Sequence, residues 1–370
     1  MTNKQLLHTP EGVRDIYGLE YKRKLAIQKA IRNSISKYGY EAIQTPTFEY
    51  FDVFSKEVGT TPSKDLYKLI DKDGHTLVLR PDFTPSIARC AAKYFMDETK
   101  PVRFTYEGNT FVNVSHLQGK LKETTQMGAE LILDDSVEAD AELLAMVVSA
   151  LKATGLKKFQ ISVGHMDYFK GLCEEAGLSQ EAENSLREAI SIKNMFAAKD
   201  ILDALDIQNS AREALLEVAD LFGSLQDLSY AKSLANNPRS VAAIERLEQL
   251  IKCLECYGIA QYVSFDLGML SQYHYYTGIV FKAFTYGIGD AIVKGGRYDH
   301  LLEFFGKKAP AVGFMVIVDD ILEALDHQKI PVTVEESAVT ITYTAETFAN
   351  ALAEATALRE AGKAVILTKE

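Results

Sequence analysis

The chain has 370 residues, 47% of them hydrophobic and 25% charged, which is the composition of an ordinary globular protein with room for one large domain and smaller ones. No apolar run approaches the ~20 residues of a membrane-spanning helix, and the polar stretch Met1 to Pro10 lacks the apolar region of a signal peptide, so a cytoplasmic protein is expected. The formal net charge of −11 weighs against a dedicated nucleic-acid binder, whose affinity rests on phosphate contacts.

In chain order, residues 19–38 are expected to form a helix. Ile27, Ile31, Ile35 and Tyr38 recur at helical spacing, and Gly39 ends the run. A strand is expected around Glu41–Thr45, stopped by Pro46, and another at Thr76–Leu79. Val102–Val114 and Lys122–Leu133 are β-rich runs separated by a polar loop containing Gly119, which predicts a long antiparallel pair. Asp135 and Glu138 resemble a capping box opening a helix that Gly155 closes. Lys158–Val163 reads as a strand. From about Tyr168 to Tyr257 the pattern is helical, interrupted by Pro238, with no strand signal. Strands return at Tyr262–Leu267, Gly278–Thr285 and Asp290–Lys294. A helix is expected to follow Gly313 and run to about His327. The remainder reads as strand Ala338–Tyr343, helix Ala345–Ala361 and strand Ala364–Thr368.

Mostly antiparallel strands with helices outside describe an α+β fold. The expected division is 1–167 with 259–328 as one discontinuous domain, 168–258 as a helical insertion, and 329–370 as a short C-terminal α/β segment. Of four cysteines, Cys253 and Cys256 form one CxxC in a helical stretch. No second CxxC or HxxxH completes a zinc site, so two thiols near a helix face is the simpler reading.

Four segments carry more information. The first is Thr9–Asp15 (TPEGVRD) with Gly39–Pro46 (GYEAIQTP) and Glu49. The second is Leu79–Thr84 (LRPDFT). The third is Gln126–Glu130 (QMGAE). The fourth is Tyr275–Gly278 (YYTG) with Gly295–Asp299 (GGRYD) and Ala311–Phe314 (AVGF). Read alone, the paired tyrosines on a strand are compatible with ordinary packing. Glu130, in an apolar strand, is either solvent-facing or paired. Gly295-Gly296 alone marks only a turn.

Taken together and in order, these segments resemble histidyl-tRNA synthetases, a class II family, over about residues 7–325. The resemblance implies an antiparallel class II sheet flanked by helices. It also implies a histidine pocket. The positions of Asp82, Thr84 and Gln126 hold the amino group, those of Glu130 and Tyr275 read the imidazole, and Tyr276 lies beside them. An ammonium needs an anion and neutral acceptors, and imidazole N–H groups need a carboxylate or a tyrosine hydroxyl. Asp82 replaces the family's usual glutamate, which keeps the charge and shortens the reach.

Amino-acid activation demands fixed positive charge on the ATP α-phosphate. The family supplies three arginines, and here their positions fall on Val112 (in Asn109–Val114, NTFVNV), Asp320 (in Gly313–Asp320, GFMVIVDD) and Ser271 (in Leu270–Tyr275, LSQYHY). A family glutamate falls on Val114. One lost oriented donor typically costs ~3–4 kcal/mol of transition-state stabilisation. An aspartate near a phosphate adds ~1–4 kcal/mol of repulsion. Arg103, Lys120 and Lys122 are the nearby cations with which such a loss would have to be offset. The C-terminal segment suffices for one β-α-β unit, short of the family's anticodon-binding domain.

A kept pocket with lost chemistry resembles the regulatory subunits of ATP phosphoribosyltransferase. That resemblance implies a non-catalytic partner of the short-form catalytic subunit in a hetero-octamer, self-association as a dimer, and L-histidine as feedback effector of the first step of histidine biosynthesis. It implies no cofactor, no metal and no tRNA. A divergent active histidyl-tRNA synthetase is the alternative, and a sensor of uncharged tRNA a third.

Overall fold

The computed structural model describes residues 7–54, 61–114, 120–223, 225–270, 275–334 and 338–370. Its strands are β1 Glu41–Ala42, β2 Phe48–Tyr50, β3 Lys68–Ile70, β4 Thr76–Leu79, β5 Val102–Phe111, β6 Glu123–Ile132, β7 Phe159–His165, β8 Phe222–Gly223, β9 Val263–Asp266, β10 Ile279–Thr285, β11 Val293–Arg297, β12 Ala311–Ile317, β13 Val339–Tyr343 and β14 Val365–Lys369. Its helices are α1 Gly18–Ile35, α2 Thr84–Tyr94, α3 Val137–Ala153, α4 Met166–Glu175, α5 Gln180–Ser191, α6 Met195–Asp203, α7 Asn209–Glu217, α8 Leu225–Leu234, α9 Pro238–Cys256, α10 Val318–His327 and α11 Phe348–Glu360. No helix among the described residues is long and apolar enough to cross a membrane.

A sheet of nine strands in the order β1-β5-β6-β12-β11-β10-β7-β9-β8 forms the centre. It is antiparallel except at β1–β5 and β7–β9, which pair parallel. The expected long hairpin is β5 and β6, in register from Val102 opposite Ile132 to Phe111 opposite Glu123. A small sheet, β2-β4-β3, stands beside it, and β13 and β14 pair parallel around α11.

Helix α3 is the spine of the core. Eleven of its residues are buried, including Leu143, Leu144, Met146, Val147 and Leu151. Each large apolar side chain removed from water contributes ~1.5–3 kcal/mol before entropy is charged against it. α3 packs against α1, α9 and β12. The same apolar cluster continues through Leu186 of α5, Leu202 of α6 and Leu215 of α7, so these helices share the core with α3.

Several sequence expectations need correction. α3 is capped by Ser136, whose hydroxyl accepts from the Ala139 N–H, and Asp135 is not the cap. The stretch Tyr168–Tyr257 is not purely helical, because β8 pairs with β9. Pro238 opens α9 behind the Asn237 cap, where a missing N–H costs nothing. Glu41–Thr45 keeps only two strand residues. The helix placed after Gly313 starts five residues later, and Gly313 itself lies inside β12. Gly295 and Gly296 lie within β11, not in a turn. Tyr275 and Tyr276 precede β10 and are not on a strand. Ser271 and Gly119 lie outside the described residues.

Candidate functional site

The centre of the large sheet lines a cleft of about 2010 Å³. Strand β6 runs through its floor. Glu130 on β6 faces Phe104 of β5 on one side and Gly313 of β12 on the other. The side chain is 1% exposed. The solvent-facing alternative for this carboxylate is therefore wrong, and the paired one is right. Thr84, the first residue of α2, donates its hydroxyl to Glu130 Oε1 at 2.9 Å. Tyr298, immediately after β11, donates to Glu130 Oε2 at 2.5 Å.

Burial pushes the Glu130 carboxyl up to about 8, against the Tyr298 and Thr84 bonds that hold it down. Tyr298 is itself buried and pushed well above its ordinary value, first by burial and then by the Glu130 charge, so it stays a donor. A buried carboxylate with two hydroxyl donors retains lone pairs for a further N–H donor.

Glycines make the room. A Cβ on Gly313 would lie 1.5 Å from Glu130 Oε2. One on Gly296 would lie 2.7 Å from Tyr276 Cε1, and one on Gly128 2.4 Å from the Tyr106 hydroxyl. Tyr275 and Tyr276 are buried with ring centroids 4.6 Å apart, and Tyr275 meets Tyr298 edge-on at 6.1 Å.

Asp82, Thr84, Gln126, Tyr275 and Tyr276 all line the cleft, and Glu130 joins them through Thr84 and Tyr298. Asp82 accepts from the Thr84 N–H at 3.1 Å, which orients its carboxylate. Gln126 is 7% exposed, and its Oε1 has no hydrogen-bond partner among the described residues. A buried carbonyl oxygen left unpaired costs ~1–3 kcal/mol and calls for a donor. Tyr298 and Gly313 were not singled out from sequence, although both lie in quoted motifs. Arg80 is structural. Its guanidinium donates to the Asn109 and Thr45 carbonyls and lies over the Phe83 ring. Arg297 is structural too, joined with Arg246 to the buried Asp140 of α3, which fixes β11 to α3 and α9.

The cleft also carries an acidic cluster around Asp320. Among the described residues, eight carboxylates and three lysine or arginine side chains line the whole cleft. Each of those three cations is already paired: Arg14 with Glu20, and Lys120 and Lys294 with Asp290. Despite its burial, Asp290 is held down at about 2 by Lys294, the Ala291 N–H and Lys120. Val112, Val114 and Asp320 all line the cleft. Burial, reinforced by Asp290, Asp319 and Glu323, pushes the Asp320 carboxyl up to about 6. Arg103 does not help, because it points to Glu142. The Lys122 side chain lies against Gly12.

A family profile described as histidyl-tRNA synthetase matches residues 12–321. The chain is 42% identical over 320 residues to an ATP phosphoribosyltransferase regulatory subunit of Ruminiclostridium cellulolyticum, covering 86% of this chain and 76% of that one. It is 38% identical over 360 residues to the protein of the same description from Thermoanaerobacter pseudethanolicus, covering 97% and 94%. A crystal structure described as an ATP phosphoribosyltransferase regulatory subunit/histidyl-tRNA synthetase from Bacillus halodurans C superposes with a TM-score of 0.90 at 32% identity, covering 98% of this chain and 93% of that one.

Proposed function

Because the chain belongs to the family of ATP phosphoribosyltransferase regulatory subunits, built on the histidyl-tRNA synthetase α+β fold, we propose that it is the histidine-sensing subunit of that enzyme. It is a non-catalytic subunit serving histidine biosynthesis. Its partner is the short-form catalytic subunit, in a cytoplasmic hetero-octamer, and it self-associates as a dimer. L-Histidine is the effector. Feedback requires that histidine bind one state of the complex better than another, since only differential affinity shifts an equilibrium.

In this reading the ligand ammonium lies between Asp82 and Gln126, with Thr84 beside them. The imidazole meets Glu130 and Tyr275, with Tyr276 alongside. Segments 1–167 and 259–328 carry this site. The insertion 168–258 and the segment 329–370 stand outside it.

The observation that carries the reading is the charge of the cleft. The buried Glu130 carboxyl group and the Gln126 amide oxygen, unpaired among the described residues, suit an imidazole and an ammonium. Val112 and Asp320, which line the same cleft, offer nothing to a triphosphate, which needs fixed cations. A calorimetric titration with L-histidine, paired with a histidine-dependent ATP–pyrophosphate exchange assay, tests it. Binding without exchange is expected. Exchange at synthetase rates would favour the divergent-enzyme alternative, and absence of binding would sink both readings.

A further inference from the structure

Asp82 and Thr84 line the cleft, and Phe83 between them does not; its ring is buried in the protein. Two neighbours hold that ring. The Arg80 guanidinium lies over it, 4.1 Å from the centroid, and the Tyr106 ring stacks on it at 4.5 Å with planes 20° apart. Each neighbour is anchored elsewhere. Arg80 donates to the Asn109 carbonyl of β5 at 2.8 Å, and to those of Thr45 at 2.9 Å and Pro46 at 3.3 Å between β1 and β2. Tyr106 donates to the Phe314 carbonyl of β12 at 3.3 Å. Gly108 on β5 leaves the room, since a Cβ there would lie 2.6 Å from Arg80 Nη2 and 3.0 Å from Phe83 Cζ. Packing alone accounts for Phe83 and Tyr106, but not for a cation at position 80. Arg80 is 7% exposed, and no carboxylate is among its hydrogen-bond partners in the described residues. Burial lowers its pKa, and only the Glu49 charge acts against that. Burying a guanidinium is costly. What it returns is geometry: a planar fork on three carbonyls and a flat face on the ring.

We propose that Arg80 and Phe83 are positioning residues for the ligand site, Arg80 and Tyr106 holding the Phe83 ring so that Phe83 sets where Asp82 and Thr84 stand in the cleft. The consequence for Glu130 is direct, because the Thr84 hydroxyl reaches Glu130 Oε1 only from that place. The proposal rests on the histidine reading of the cleft and names residues behind it that touch no ligand.

The test compares the full chain as wild type, Arg80→Lys, Phe83→Leu and the double variant. Arg80→Lys keeps the charge and loses the fork and the flat face. Phe83→Leu keeps an apolar side chain and loses the ring. In calorimetric titration with L-histidine, each single variant should bind about tenfold more weakly, the scale of a lost hydrogen bond or two. The double variant should lose little more than either, because both act through one contact. The second measurement is the pH profile of the urea midpoint, which follows Glu130. The Thr84 hydroxyl holds the Glu130 carboxyl down more strongly than the Asp82 charge pushes it up. Displacing both should therefore move the transition to higher pH, a shift that loosened packing elsewhere would not produce. Wild-type affinity in Phe83→Leu, additive losses in the double variant, or lost affinity with an unmoved transition overturns the proposal. If the wild type binds no histidine while the transition still moves, the ligand reading falls and the placement of Thr84 by Phe83 stands.

Discussion

Gly313 and Glu130 stand opposite each other on β12 and β6, and the Glu130 carboxylate occupies the space that a side chain at 313 would fill. The carboxylate can be buried against β12 only because residue 313 has no Cβ.

Gly313→Ala should therefore displace Glu130. Overpacking of this kind costs ~1–3 kcal/mol. Denaturant unfolding should show that loss, and calorimetry should show histidine binding weakened by about tenfold or more. Gly296→Ala should act similarly through Tyr276. Gly289→Ala is the control, because a Cβ there meets nothing within 4 Å although Gly289 lines the same cleft. If all three variants bind histidine like the wild type, Glu130 and Tyr276 do not form the ligand site.

Stability should depend on pH through Glu130. Its folded pKa of about 8 exceeds the ordinary glutamate value, so between about 4.5 and 8 the folded chain holds a proton that the unfolded chain releases. The stabilisation is complete below the lower value and is lost as pH rises through the upper one. Urea midpoints should fall from pH 5 to pH 8.5, and Glu130→Gln should flatten that slope. Asp320, at about 6, adds a smaller decline of the same sign at lower pH. A Glu130→Gln chain with an unchanged slope would place the titration elsewhere.

Tyr298 acts through Glu130 as a positioning residue. Tyr298→Phe removes one donor from the carboxylate, so the Glu130 transition should move to higher pH. Histidine affinity should fall with it, by a few-fold to about tenfold for one lost hydrogen bond. Loss of affinity with no movement of the pH profile would mean that Tyr298 serves only packing.

Asp320→Arg should raise affinity for ATP by about tenfold or more, because a repulsive charge is replaced by an attractive one in the acidic cluster of the cleft. Equilibrium dialysis with labelled ATP checks this. An unchanged or weaker ATP affinity would mean that this cluster does not face a nucleotide.

Much of this arrangement could be read in the sequence, and the exceptions have physical causes. The β5–β6 hairpin was legible because two long β-rich runs flank one polar loop. Glu130 was ambiguous because β6 is buried on both faces beyond its first two residues, so alternation carries no information there. β12 was taken for helix because it passes from Ile317 into α10 at Val318 with no intervening loop or punctuating residue. β8 exists only through its pairing with β9, a tertiary contact that local pattern does not encode. Tyr298 and Gly313 needed the register of β6, β11 and β12 before their roles became visible.

The most direct measurement is phosphoribosyltransferase activity of a short-form catalytic subunit reconstituted with this chain, titrated with L-histidine. The chain should confer activity, histidine should inhibit it, and the complex with Glu130→Gln should stay active while becoming insensitive to histidine. Activity that ignores the chain, or a Glu130→Gln complex inhibited as strongly as the wild type, would contradict the account.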